Sequence, residues 1–404
     1  MNNSSEAASA FQRSNLDRQF LSLPGEVRFC TKCVISNQRP RITFDADGVC
    51  GACRNADYKE RVDWKQRELE LEQLLDRHRR KDGYWDVVVP VSGGKDSGFV
   101  AHELRTRWGM NPLTVTWTPM LYTGIGRENY QSFVDHGFSN LFCNPNGRLQ
   151  RQMARLCFEE LGDAFHVFVL GQVHYPIWIA LKFGIPLVFY GENGNVEYAG
   201  DPKLADKPYL APEDWNTRLL KGCSLEELVD YGLEKKDYFT AADYRPSDLI
   251  FYGAPPLEVL QKAGIRKYYY SYYHKWIPQE NYYYAAEHTG LKANPERSEG
   301  TYSKYASLDD KLDGMHYYMG FIKFGFGRTT QDAAHEIRDG HLTREEGVAL
   351  VRRYDGEFPG RYFKEFLSYL DIGEDHFWRV VDSWRRPNIW TKEGGEWKLV
   401  HQVT

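Results

Sequence analysis

The chain has no run of about 18 apolar residues that could span a bilayer, and no charged-then-apolar opening of the kind that marks a secretory signal. A cytoplasmic protein without membrane insertion is the expectation. A basic excess is also missing: 51 Lys+Arg stand against 56 Asp+Glu, a formal net charge of −5. That balance supplies no global field to gather phosphate backbones, so no nucleic-acid partner is expected. Cysteine is scarce, seven residues in all, and four of them crowd into positions 30–53. Such placement argues against a disulfide framework and suits a metal site in a reducing compartment. Cys143, Cys157 and Cys223 are scattered and read as small packing or surface residues rather than nucleophiles. Internal repeats and low-complexity linkers are absent too. With 404 residues, the chain can bury a core in more than one domain without staples.

What is present falls into five stretches. Residues 1–27, rich in Ser, Asn and Ala with little periodicity, read as a flexible N-terminal extension. Residues 28–57 hold the Cys cluster as a zinc-ribbon-like module. A charged segment with Trp64, Leu69, Leu71, Leu74 and Leu75 near helical spacing makes 58–82 a connecting helix. Over 83–255, β-rich runs at 87–91, 113–117, 140–143 and 186–190 alternate with helical stretches at 99–108, 128–136, 149–161 and 176–183. Strand alternating with helix means α/β, a doubly wound and mainly parallel sheet. Residues 256–404 are aromatic-rich and read as a mainly helical, substrate-binding region, with Tyr268–Tyr270 and Tyr282–Tyr284 taken as packing.

The sharpest chemical signal follows the first strand, where an apolar run ends in Ser92-Gly93-Gly94-Lys95-Asp96-Ser97 and a helix begins. Two glycines permit a tight turn whose backbone N–H groups can face phosphate oxygens, and the helix N-terminus adds partial positive charge. Lys95 brings a full charge, Ser92 and Ser97 bring hydroxyls, and Asp96 can cap the helix or help hold a metal ion. The GxxxxGK[ST] spacing of a Walker loop is not there. The six residues instead resemble the PP-loop of the ATP-pyrophosphatase superfamily, whose members adenylate substrates and release pyrophosphate. Trp117, ending the second strand, is taken with this loop as lining the nucleotide site.

Cys30-x2-Cys33 and Cys50-x2-Cys53 form a second constellation, two knuckles suited to a four-thiolate tetrahedral site. Zinc in a structural role is the first choice, with iron or an iron–sulfur cluster left open. A third cluster, Gly191-Glu192-Asn193, ends the strand at 186–190, where open α/β sheets bind ligands. Glu192 could orient substrate, ligate magnesium or cap a turn. His174, near the start of an expected helix, is either a substrate-facing or a structural histidine. In the C-terminal half, Arg297, Lys323 and Arg328 lie in polar, Gly-punctuated loops and are the expected anchors for anionic substrate groups.

Taken together, FCTKCVISNQRPRITFDADGVCGACRN, PVSGGKDS, FYGENGNVEYAG, NPERSEGTYSKYASLDDKLDGMHYYMGFIKFGFGRTT and WTKEGGEWKLVHQV resemble the N-acetyl sugar amidotransferase family. This family includes the WbpG-type and PseA-type proteins of bacterial surface-polysaccharide and nonulosonic acid biosynthesis. The resemblance runs from about Arg28 to the C-terminus. It implies conversion of an acetamido group to an acetamidino group, on a UDP-linked diacetamido uronic acid for the WbpG type and on a nonulosonic acid for the PseA type. The implied reactants are ATP, Mg²⁺ and the sugar, with Lys95, Asp96 and Glu192 as the catalytic set and Asn193 beside the substrate. Position 2 is Asn, and Gly222-Cys223-Ser224 builds no nucleophile elbow, so no glutaminase is expected within the chain. The resemblance implies a separate glutaminase with a barrel subunit, similar to HisH and HisF, as the source of ammonia. Rival readings are a tRNA-thiolating PP-loop enzyme, which would need a sulfur relay and a basic face, and a non-catalytic zinc-ribbon scaffold that senses ATP.

Overall fold

A computed structural model describes residues 16–215, 221–235 and 237–404. Six strands form one sheet: β1 Val87–Pro90, β2 Pro112–Trp117, β3 Asn140–Cys143, β4 Leu187–Tyr190, β5 Tyr209–Leu210 and β6 Arg266–Tyr269. Their order is β3-β2-β1-β4-β6-β5, parallel throughout except for β5 against β6. The valines of β1 show why this sheet forms. Val87 and Val89 pack on one face and Val88 on the other, all fully buried. Burial of each contributes about 1.5–3 kcal/mol, and helices covering both faces make such an uninterrupted apolar strand favourable.

Helices Gly147–Leu161 and His166–Phe183 cover one face; Trp64–His78 and Lys95–Thr106 cover the other. From β1 the chain steps outward to β2 and β3, then crosses back to lay β4 on the opposite side of β1. That reversal leaves a crevice above the C-terminal ends of β1 and β4, the place where open α/β sheets bind ligands.

Two expectations need correction here. The sheet does not end near residue 255: β6, inside the tyrosine-rich run, pairs with β4 from Leu187↔Arg266 to Tyr190↔Tyr269. The helix expected at 176–183 begins ten residues earlier, at His166, and passes through Gly171 and Pro176. Gly171 is required there, because a Cβ would lie 2.0 Å from the Trp117 ring.

The stretch expected to be a loose extension is docked from residue 16 on; residues 1–15 lie outside the described residues. Asp17 caps the short helix Arg18–Leu21 and forms a buried ion pair with Lys323, and Phe20 packs edge-on against Trp384.

The Cys module packs on the C-terminal region through Phe326, Ala333, Ala334 and Val348. That region is mainly helical, from Pro278–His288 through Glu374–Ser383, and ends in a hairpin of Trp390–Glu393 with Glu396–Leu399. Its segment 308–312 clasps the α/β part: the Asp310 carboxylate accepts from Met120 N at 2.5 Å and from Leu312 N at 2.9 Å. No helix among the described residues is long and apolar enough to cross a membrane.

Candidate active site and metal centre

The bond from Val91 N to Val115 O, 2.8 Å, keeps the chain extended up to Ser92. Gly93 then turns it with φ +85°, against helix Gly124–Asp135. A Cβ at this position would sit 2.8 Å from the backbone N and Cα of Tyr130, so the loop shape demands glycine. Gly94 is the N-cap of Lys95–Thr106, and no side chain caps the helix. Its first-turn N–H groups, with the positive end of the helix dipole, therefore face the crevice. The loop hydroxyls hold the turn: Ser92 Oγ accepts from Gly94 N at 3.3 Å, and Ser97 Oγ accepts from Ser92 N at 3.4 Å.

The Lys95 ammonium pairs with the Asp96 carboxylate, which also accepts from Asn281 Nδ2 at 3.2 Å. Across the crevice, Gly191 and Glu192 leave β4. A Cβ on Gly191 would lie 2.7 Å from Trp276 and 3.6 Å from the Asp96 Cβ, so glycine lets the two strand ends approach. Burial pushes the Glu192 carboxyl up to about 7, the Asp96 charge adds to the shift, and Lys95 opposes it. The Tyr198 hydroxyl donates to Glu192 at 3.3 Å. A third carboxyl, Asp309, is raised to about 6 by burial and by Asp313, and the Ser92 side chain hydrogen-bonds it. Asp96, Glu192 and Asp309 thus place three carboxyls around the loop Ser92–Ser97.

The crevice opens into a cavity of about 420 Å³ between the sheet and helix His166–Phe183, within the range of ligand pockets. Ser92 and Gly94–Ser97 form one end, Trp117 and Phe168 one wall, and Tyr190, Lys267 and Tyr269 the other. The loop residues, Trp117, Gly191 and Glu192, far apart in sequence, therefore meet around one space.

The remaining expected site residues do not meet there, except at its margin. His174 is buried outside this cavity, with its Nδ1 2.8 Å from the Tyr252 carbonyl, and burial lowers its pKa to about 4. Asn193 caps the short helix Gly194–Glu197, accepting from Asn195 N at 3.1 Å. Arg297 makes a bidentate pair with Glu357 at 2.6 and 2.7 Å, bracing the turn at Gly300. Lys323, expected in a substrate loop, is instead the buried partner of Asp17 at 2.6 Å. Its place inside helix Asp313–Phe324 accounts for the error, since an apolar helix can carry a lysine inward when a carboxylate meets it. Arg328 differs from these. It pairs with Asp332 at 2.9 Å and acts electrostatically on Tyr198, the hydroxyl that donates to Glu192.

The residues that sequence reasoning missed are Lys267, Tyr190, Tyr269 and Asp309. A lone lysine inside an apolar tyrosine run was the available signal for Lys267.

Cys30, Cys33, Cys50 and Cys53 are buried, and their Sγ atoms all lie within 4.8 Å of one another. The Cys30–Cys53 and Cys33–Cys50 sulfurs are 3.9 and 3.8 Å apart. Four sulfurs around zinc at about 2.3 Å stand about 3.8 Å from each other, so the set fits a tetrahedral ion. Backbone N–H groups of Cys33 and Cys50 point at Cys30 Sγ from 3.4 and 3.3 Å, donors that suit a thiolate. The four cysteines can hold a structural metal such as zinc. Their module also braces the site: Gly51 and Gly200 touch backbone to backbone, and Lys59 forms a buried ion pair with Glu197 at 2.5 Å, both beside the Glu192 segment.

Fold and site together define an α/β protein with a phosphate-type loop at the reversal point of its sheet and a four-cysteine centre behind it. Residues 299–404 match the family model described as LPS biosynthesis protein WbpG-like, C-terminal domain. The match covers about a quarter of the chain, which is there similar to the C-terminal domain of WbpG-like LPS biosynthesis proteins. No curated protein matches the chain.

Proposed function

We propose that the chain is an ATP-dependent N-acetyl sugar amidotransferase, converting an acetamido group of a UDP-linked diacetamido uronic acid into an acetamidino group for O-antigen synthesis. The observation that carries this reading is the meeting of the uncapped loop Ser92–Ser97 with Glu192 at one cavity, in a chain with a WbpG-like C-terminal region.

An amide carbonyl is a poor electrophile, and its oxygen a poor leaving group, until it is activated. Attack of the acetamido oxygen on the α-phosphorus of ATP forms an O–P bond and breaks the bond to pyrophosphate, while the amide N–H loses its proton. Ammonia then adds to the imidate carbon, and AMP leaves with the former acetamido oxygen. In this scheme the N–H groups at Gly94–Asp96 and the Lys95 ammonium hold the departing phosphates. Magnesium, when bound, supplies neutralising charge there, and Asp96 is its candidate ligand. Glu192, which titrates near neutrality, accepts the amide proton. Trp117 and Phe168 wall in the nucleoside, and Tyr198 and Arg328 border the acceptor side of Glu192. Ammonia arrives from a separate glutaminase and barrel subunit. In this reading the four-cysteine centre is zinc-filled and structural.

Incubation with ATP, Mg²⁺, ammonium at alkaline pH and the UDP-diacetamido uronic acid tests the assignment. The expected product is lighter by about one mass unit, the exchange of oxygen for NH, and appears with AMP and pyrophosphate. Turnover of a nonulosonic acid alone moves the assignment to the PseA-type reaction, and sulfur transfer to tRNA overturns it.

A further inference from the structure

Lys267 lies in the middle of β6, between the parallel neighbour β4 and the antiparallel β5, at 3% exposure. A lysine in that position is costly, because an ammonium removed from water needs a counter-charge or hydrogen-bond acceptors. Lys323 shows how this chain meets the demand elsewhere: its equally buried ammonium has Asp17 and a carbonyl as partners. Lys267 has no hydrogen-bond or ion-pair partner among the described residues. Its Nζ lies 3.8 Å from the centre of the Tyr190 ring and 5.8 Å from that of Tyr269, and the side chain lines the same cavity as the loop Ser92–Ser97. Two π faces contact the ammonium, and the one side left to it is the cavity.

The surroundings bring no balancing charge. Tyr190 and Tyr269 contribute phenols whose own ionisation is suppressed by burial. From helix His166–Phe183 comes His174, neutral near pH 7. Asp96, at the loop end of the cavity, is already taken by Lys95. Glu192 completes the lining there, with its carboxyl held up near neutrality. Burial alone pushes the Lys267 ammonium down to about 7, so an anion entering the cavity would favour its charged form.

We propose that Lys267 is a ligand anchor: its ammonium pairs with an anionic oxygen carried into the cavity, either a phosphate of the nucleotide or the carboxylate of the acceptor. The two sources share one chemistry, an oxyanion against a desolvated ammonium, where a charge-assisted hydrogen bond is strong. The inference rests on the proposed nucleotide and acceptor site and adds a residue that the loop does not contain. It also assigns a stability cost to function, since a lysine with no partner in the sheet core destabilises the ligand-free fold.

Lys267→Met, close in length and apolar, is the test. Binding of AMP, ATP and uncharged adenosine is measured alongside the uronic acid acceptor and its carboxyl-reduced analogue, together with the melting temperature of the ligand-free protein. The variant is expected to melt at the same temperature as wild type or higher, yet to lose about 10- to 100-fold in affinity for one charged member of these sets. The uncharged member of that set keeps its affinity. A loss confined to AMP and ATP identifies the phosphate, and one confined to the uronate identifies the carboxylate. The anchor is refuted if every charged ligand binds the variant as tightly as wild type, or if adenosine weakens as much as AMP. A wild-type protein that binds neither nucleotide nor acceptor removes the proposed function itself, and this inference with it.

Discussion

Glu192→Gln separates the chemistry of the site from its stability. Burial and the neighbouring Asp96 hold the Glu192 carboxyl near 7 against an ordinary 4.5, and the ionised form is the one that can accept the amide proton. The acid limb of kcat/KM is therefore expected near neutrality. At pH 6 only about a tenth of the enzyme carries the carboxylate, whereas an ordinary carboxyl would be almost fully ionised. The glutamine variant cannot take the proton and is expected to lose about 100- to 10,000-fold in kcat/KM, along with that limb.

Stability moves the other way. The native state keeps the Glu192 proton up to about 7, and the unfolded chain releases it near 4.5. Across that window the native state binds more protons, so stability falls as pH rises, and above neutrality the full cost of the buried carboxylate is present. Allowing for partial exposure, that cost is on the order of 1–3 kcal/mol. Glu192→Gln removes it. Urea unfolding is expected to show the variant more stable than wild type by about that amount near pH 8, with the gain gone near pH 4. A variant that keeps its activity refutes the role, and one less stable than wild type at pH 8 refutes the charge argument.

Three further outcomes follow from the geometry. Lys95→Ala removes the one side-chain cation of the loop and should abolish AMP and pyrophosphate formation while the far-UV spectrum stays unchanged; wild-type turnover would take Lys95 out of the reaction. Cys30→Ser should release the bound metal, read by emission analysis, and loosen the Gly191–Gly200 segment that the module braces, so activity falls with metal content. A fully metallated and equally stable variant would contradict the four-thiolate site. Lys323→Ala leaves the Asp17 carboxylate buried without its partner and should cost about 3–5 kcal/mol in urea unfolding, with the acceptor KM of the folded fraction unchanged. A raised KM at unchanged stability would return Lys323 to the substrate site.

The parts of the fold that could be read from the sequence are those whose local pattern and tertiary fate agree. The Val87–Val91 run, the two glycines that turn it, and the paired CxxC knuckles each have one low-energy solution, and the structure adopts it. β6 escaped because Arg266-Lys267-Tyr268-Tyr269 shows neither alternation nor a continuous apolar run. Its identity as a strand comes from the empty edge of β4, a feature of the sheet rather than of the segment. Helix His166–Phe183 was shortened for a similar reason: Gly171 and Pro176 lower its propensity, while the Trp117 ring and the sheet face repay the loss by packing.

For the site, the loop and Glu192 were legible because strand ends in α/β sheets gather ligands. The charged residues were harder. Arg297, Lys323 and Arg328 look alike in sequence, yet two are closed off by Glu357 and Asp17 and only Arg328 lies toward Glu192. Which cation has a carboxylate waiting depends on contacts across 60 to 306 residues of chain, and no local pattern encodes them.

The most direct test of the central claim follows the acetamido oxygen itself. With that oxygen labelled as ¹⁸O and ATP, Mg²⁺ and ammonia supplied, the label is expected in AMP, because the oxygen that attacks the α-phosphorus leaves with it. Unlabelled AMP beside an amidine product, with the heavy oxygen in water or inorganic phosphate, would contradict activation by adenylation.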